Sequence, residues 1–133
     1  MSAPARTLPW ADEAERSVIG CLLIDPAAYL TVSPLVCPTD FGSPSAAAAY
    51  AAIESLALAG RAADAVTVRA LLEREHTPPA GGWEAYLTQC ARCVPSSASA
   101  PDYARIVAEV AIRRSWFQWG GRLMDEAPTR PLS

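Results

Sequence analysis

Asp12-Glu13-Ala14-Glu15-Arg16-Ser17-Val18-Ile19-Gly20-Cys21-Leu22-Leu23-Ile24-Asp25-Pro26 reads as an amphipathic helix with a stop and a restart at its end. Ala14, Val18, Cys21 and Leu22 recur at i, i+4, i+7 and i+8, the spacing that lines one face of a helix with apolar side chains. The expected helix runs from about Ala11 to Ile24. Asp12, Glu13 and Glu15 give it an acidic first turn, which complements the helix dipole. Asp25 then caps a second helix with Pro26 in its first position. That helix carries Tyr29, Leu30 and Val32, and Pro34 and Pro38 break or kink the chain beyond it.

The same grammar repeats downstream. Ser43-Pro44 is a second cap-plus-proline start, and Ser45 to Ala59 is rich in alanine and leucine, with strong helix propensity. Tyr50, Ile53 and Leu56 or Ala57 mark its core stripe, and Gly60 ends it. Asp64 caps the next helix, with Val68, Leu71 and Leu72 inward. Its β-branched Val66-Thr67-Val68 is compatible with a strand, but the unbroken run to Glu75 favours helix. A loop from His76 to Gly82 precedes a short helix over Trp83 to Cys93, with Trp83, Tyr86, Leu87 and Cys90 on one face. After a small-residue linker at Ser96 to Ala100, a long helix runs from about Pro101 to Ala127, with Tyr103, Ile106, Val107 and Val110 on one face. The expected fold is all-α: a bundle of five to six short helices followed by one long helix. Its divisions are a flexible N-terminus over 1–8, a bundle over 9–97, the long helix over 98–127 and a tail over 128–133. Leu8-Pro9-Trp10 leads into the fold, and Pro128 and Pro131 close the chain.

Composition narrows the chemistry. The 133 residues are 51% apolar and 19% charged, enough for one domain with a real core. All 11 basic residues are arginine. Without lysine there is neither a P-loop nor a Schiff-base nucleophile. A net charge of −3 provides no global attraction to nucleic acid. The longest uncharged stretches, from Pro26 to Thr39 and from Phe41 to Ile53, fall well short of the ~20 residues that cross a bilayer. No signal-peptide core is visible at the N-terminus, so the expected location is the cytoplasm.

The remaining motifs are weak as catalytic sites. Cys90-Ala-Arg-Cys93 with Cys21 and Cys37 could form a four-thiolate zinc site, but Cys21 and Cys37 are not a second C-x-x-C pair. Free core thiols are the simpler reading. A redox role is disfavoured by the position of the C-x-x-C pair near a helix C-terminus, where the dipole opposes a thiolate. His76, the single histidine, has no nucleophile at a recognisable spacing. Neither Gly81-Gly82 nor Gly120-Gly121 has the strand and lysine of a phosphate cradle. No catalytic residue, cofactor or metal is therefore expected.

Arg113 and Arg114 with Trp116, Phe117 and Trp119 are more informative. Helical steps spread the three aromatics over more than one face, so a helix packed on one side cannot bury them all. Aromatics beside arginine have the composition of interface anchors. The alternatives are a wider intramolecular core and stacking on single-stranded nucleic acid, the second of which the acidic overall charge opposes.

The order of features resembles the N-terminal domain of the bacterial replicative DNA helicase, DnaB, from about Leu8 to Arg114. The series comprises Leu8-Pro9, Glu13-Ala14-Glu15, Ser17-Val18-Ile19-Gly20, Leu22-Leu23-Ile24-Asp25-Pro26, Pro38-Thr39-Asp40-Phe41, Ala52-Ile53 with Leu56, and Gly60. It continues through Asp64-Ala65-Val66-Thr67-Val68, Leu71, Gly81-Gly82, Tyr86-Leu87, Val94-Pro95-Ser96-Ser97, Tyr103-Ala104-Arg105-Ile106-Val107 and Arg113-Arg114. Departures are Gly42, where the family usually has an aromatic, Ala46 near its usual histidine, and the intruding Pro34. The resemblance implies a helical bundle followed by a hairpin. In the family, hairpins pair subunits into the collar of a hexamer, and the collar docks primase and, in some systems, a helicase loader. It implies that ATP hydrolysis belongs to a separate motor, and that the long helix here is the first arm of the hairpin. The implied partners are a second copy of this chain (dimer or higher), replicative helicase subunits, and primase or a loader, as part of a fragment or as a stand-alone protein. Neither direct nucleic-acid binding nor membrane association is expected.

Overall fold

Side-chain caps set the helix boundaries. Asp25 Oδ1 accepts the Ala27 amide at 3.2 Å, Ser43 Oγ accepts Ala46 at 3.3 Å, and Asp64 Oδ1 accepts Thr67 at 2.9 Å. Each bond satisfies an amide that the first helical turn leaves without an intrahelical partner. The computed structural model describes residues 11–126. The expectations for residues 1–10 and for the tail from 127 onward lie outside the described residues.

Among the described residues the elements are α1 (Asp12–Ile24), a 3₁₀ turn (Pro26–Ala28), α2 (Tyr29–Val32), a second 3₁₀ turn (Pro38–Asp40), α3 (Pro44–Leu58), α4 (Ala65–Glu75), α5 (Gly82–Arg92) and α6 (Ala100–Glu126). The chain is all-helical, as its periodicity predicts. The Asp25-Pro26 restart yields only a 3₁₀ turn and the four-residue α2, in which Tyr29 and Val32 are buried and Leu30 is exposed. α3 ends in a Schellman arrangement: the Arg61 amide reaches Leu56 O at 2.9 Å and the Gly60 amide reaches Ala57 O at 3.0 Å. Gly60 supplies the required left-handed residue, at φ +71°. The β-branched run at 66–68 is helical. The Thr67 hydroxyl donates back to Ala62 O at 2.8 Å, which ties this first turn of α4 to the incoming chain.

α1 is the central strut, packed on α5 and α6 and touching α3. Val18, Ile19, Cys21 and Leu22 are fully buried along it. Gly20 is where α5 comes closest: a Cβ built there would overlap the Cys90 carbonyl oxygen and lie 3.3 Å from Val94 Cγ2. Around α1 the core is aliphatic, with Ile53, Val68, Leu72 and Leu87 buried, and it holds two aromatic groups. Tyr50 stacks on Phe41 at 4.9 Å between centroids, and its hydroxyl donates to Val36 O at 3.1 Å. Trp83 and Tyr86 meet edge to face.

α6 corrects the expected face. Its buried residues are Ala100, Ala104, Val107 and Ala111, whereas Ile106 is exposed and Tyr103 and Val110 are half-buried. The seam is made of small side chains, so the helix lies close to α1 and α2, and the larger residues flank the contact instead of filling it. The long helix is therefore part of the bundle as far as Ala111.

Removing the cap of α3 is a direct check on this local account. Ser43→Ala is expected to cost about 1 kcal/mol in urea unfolding, and Ser43→Gly less.

Candidate protein-interaction site

Beyond Arg114, every described side chain of α6 from 115 to 119 is exposed. Ile112 is 58% exposed, Trp116 67%, Phe117 55% and Trp119 47%. At about 100° per residue, Ile112, Trp116 and Trp119 fall on one flank of the helix, and Phe117 lies with Arg113 and Ile106 on the other. Neither flank is the one that Ala104, Val107 and Ala111 turn to the bundle. The three aromatics named from the sequence are thus presented to solvent on two sides of a projecting helix. Ile112 was missed, although its spacing of four and seven residues from Trp116 and Trp119 carries the signal.

The two arginines part company. Arg113 is exposed, whereas Arg114 is partly buried and its Nη2 donates to the Asp40 carbonyl at 2.8 Å. Close to Asp40 lies Glu15. The acidic first turn expected of α1 is present, and within it Glu15 is 1% exposed. Its Oε2 accepts the Gly42 amide at 2.7 Å and its Oε1 the Ser43 amide at 3.0 Å. Burial raises the Glu15 pKa above the usual carboxylate value, opposed by the two amides and by the Arg114 charge. Asp12, Glu13 and Glu15 look alike in the sequence. Only the α1 stripe, on which Glu15 sits beside Val18, Ile19 and Leu22, marks it as inward.

Nothing comparable gathers around the other candidates. Cys21 and Cys90 are buried thiols, with pKa values raised by burial to about 11 and about 12, so they stay protonated and unreactive at neutral pH. Cys37 and Cys93 are exposed, and His76 is exposed at the C-cap of α4. Among the described residues, no three His, Cys, Asp or Glu side chains gather as metal ligands. No described helix is long and apolar enough to cross a membrane. A thiol reagent is expected to modify Cys37 and Cys93 rapidly in native protein and Cys21 and Cys90 only on unfolding. Four equally fast thiols would contradict this placement.

A groove of about 640 Å³ runs between α4 and α5 over Ala65, Ala70, Leu87 and Ala91. Its rim charges are tied to each other, Arg69 lying 3.1 Å from Glu73 and 3.5 Å from Glu84.

Known proteins match this geometry. The family described as DnaB-like helicase N terminal domain matches residues 7–109. The chain is 32% identical over 125 residues to the replicative DNA helicase DnaB of Geobacillus stearothermophilus, covering 94% of this chain and 28% of that relative. It is 38% identical over 112 residues to the replicative DNA helicase DnaB of Mycobacterium leprae, covering 84% of this chain and 18% of that relative. The crystal structure of the N-terminal domain of DnaB helicase from Mycobacterium tuberculosis superposes with a TM-score of 0.87 at 36% identity, covering 92% of this chain and 85% of that one. The chain thus spans less than a third of the length of these two curated relatives, and 85% of the isolated N-terminal domain.

Proposed function

This chain belongs to the DnaB-like helicase N-terminal domain family, and we propose that it acts there as a non-catalytic protein-interaction domain of DNA replication. Its α6 pairs copies of the chain, or pairs the chain with replicative helicase subunits. The assembled surface docks primase or a helicase loader. The segment over 98–127 serves as the hairpin arm, and its working residues are Arg113, Trp116, Phe117 and Trp119, with Arg114 at the root.

The observation that supports this reading is the projecting end of α6. A single helix in water has no reason to carry exposed Ile112, Trp116, Phe117 and Trp119. Such residues raise the solubility cost of the monomer and lower it when covered. Trp and Arg are the side chains that most often carry binding energy at the centre of an interface. Enzymatic activity is not part of the proposal: the lysine on which a P-loop depends is missing from the sequence.

Affinity capture with the cognate helicase and primase tests the partner assignment. Retention of either one, weakened by Trp116→Ala, is the expected result, with Leu58→Ala at the exposed end of α3 as a control that leaves binding unchanged. Binding to neither partner removes the docking role.

A further inference from the structure

We infer that Arg114 sets the direction in which α6 leaves the bundle, through a charge clamp built with buried Glu15 and the turn from Asp40 to Ser43. The inference rests on the reading of α6 as an interaction arm, and it adds how that arm is aimed.

Three elements meet at one point. Ala111 is the last fully packed residue of α6, Arg114 is one turn further on, and side chains 115–119 are all exposed. Arg114 is therefore the last side chain along α6, among those described, that is even partly buried. Its Nη2 donates to Asp40 O at 2.8 Å. Two residues later the same turn is gripped from below, where the Gly42 and Ser43 amides donate to the Glu15 carboxylate at 2.7 and 3.0 Å. The Arg114 charge acts on that carboxylate. Ser43 then caps α3 through its own hydroxyl. The turn is thus held on one side by α1 and on the other by α6, and it begins α3.

A buried carboxylate with two amides still benefits from a nearby cation, because taking it out of water is costly. Arginine suits the position because its planar, multi-donor head can bond a carbonyl while still placing a permanent positive charge near the carboxylate. The adjacent Arg113 has the same charge and points to solvent. It provides a built-in control: the clamp is a matter of geometry, not of net charge.

The test is a distance measurement between spin labels at Leu58→Cys on α3 and Gln118→Cys on α6, with Cys37 and Cys93 replaced by serine. Labelled protein is diluted in unlabelled protein, so that only distances within one chain are read. The parent is expected to show one narrow distance. Arg114→Gln broadens it several-fold while far-UV circular dichroism stays helical, Arg114→Lys falls between, and Arg113→Gln matches the parent. A distribution as narrow as the parent's in Arg114→Gln, or equal broadening in Arg113→Gln, overturns the inference. Should Arg114→Gln not fold, Arg114→Lys decides: broadening supports the clamp and a parent-like width overturns it. Because the distance is read within one chain, a protein that never self-associates can still show a clamped arm. The two readings therefore fail separately.

Discussion

Gly20→Ala is expected to destabilise the chain by about 3 kcal/mol, the upper end of what overpacking costs in a core. In an ordinary helix the same change would stabilise by roughly 0.5–1 kcal/mol, because glycine is the poorer helix former. Here the sign reverses. The new methyl would occupy the space of the Cys90 carbonyl oxygen, and a second backbone atom, Cys90 C, lies at 2.8 Å. That carbonyl lies in the last turn of α5 and accepts the Cys93 amide at 3.1 Å, so it cannot swing aside as a side chain would. α1 and α5 must separate instead, opening the packing around Val18, Leu22, Leu87 and Cys90. Urea unfolding followed by circular dichroism measures it. A variant as stable as the parent would show that the two helices do not cross as closely as described.

The second large effect is at Glu15. Glu15→Ala leaves the part-buried Gly42 and Ser43 amides without their acceptor, for an expected loss of about 2–4 kcal/mol. Glu15→Gln retains one acceptor oxygen and loses less. The pH dependence has a definite sign. The folded-state pKa of Glu15 is raised above its ordinary value, with burial as the first cause. A carboxyl shifted upward binds its proton more tightly in the folded chain than in the unfolded one. Its contribution is full below the unfolded carboxylate range and is lost as pH rises through the folded value. The stability gap between parent and Glu15→Gln should therefore narrow on going from acid pH to neutral. A gap that widens with pH would mean that Arg114 and the two amides outweigh burial, and that the shift runs the other way.

Much of the architecture was legible because short-range rules decide it. The caps at Asp25, Ser43 and Asp64, the glycine after α3 and the stripes of α1, α3, α4 and α5 all derive from residue type and spacing. What was not legible depends on distance across the fold. Glu15 sits in an acidic turn with Asp12 and Glu13, and what buries it is a turn nearly thirty residues downstream. Gly20 gives no hint in sequence that another backbone passes over it. The α6 face expected from its large apolar residues holds at Val107 and fails at Ile106. There, close approach needs Ala100, Ala104 and Ala111, and it leaves Ile106 outside. The aromatic arm was legible for the same reason in reverse: three aromatics spread round a helix cannot all be buried by one neighbour.

Light scattering or sedimentation across a concentration series tests whether the chain self-associates through α6. The expected result is a concentration-dependent dimer that Trp116→Ala together with Ile112→Ala weakens by at least about a hundredfold, given interface anchors worth about 2 kcal/mol each and a factor of ten per ~1.4 kcal/mol. A parent chain that remains monomeric at the highest concentration would contradict it.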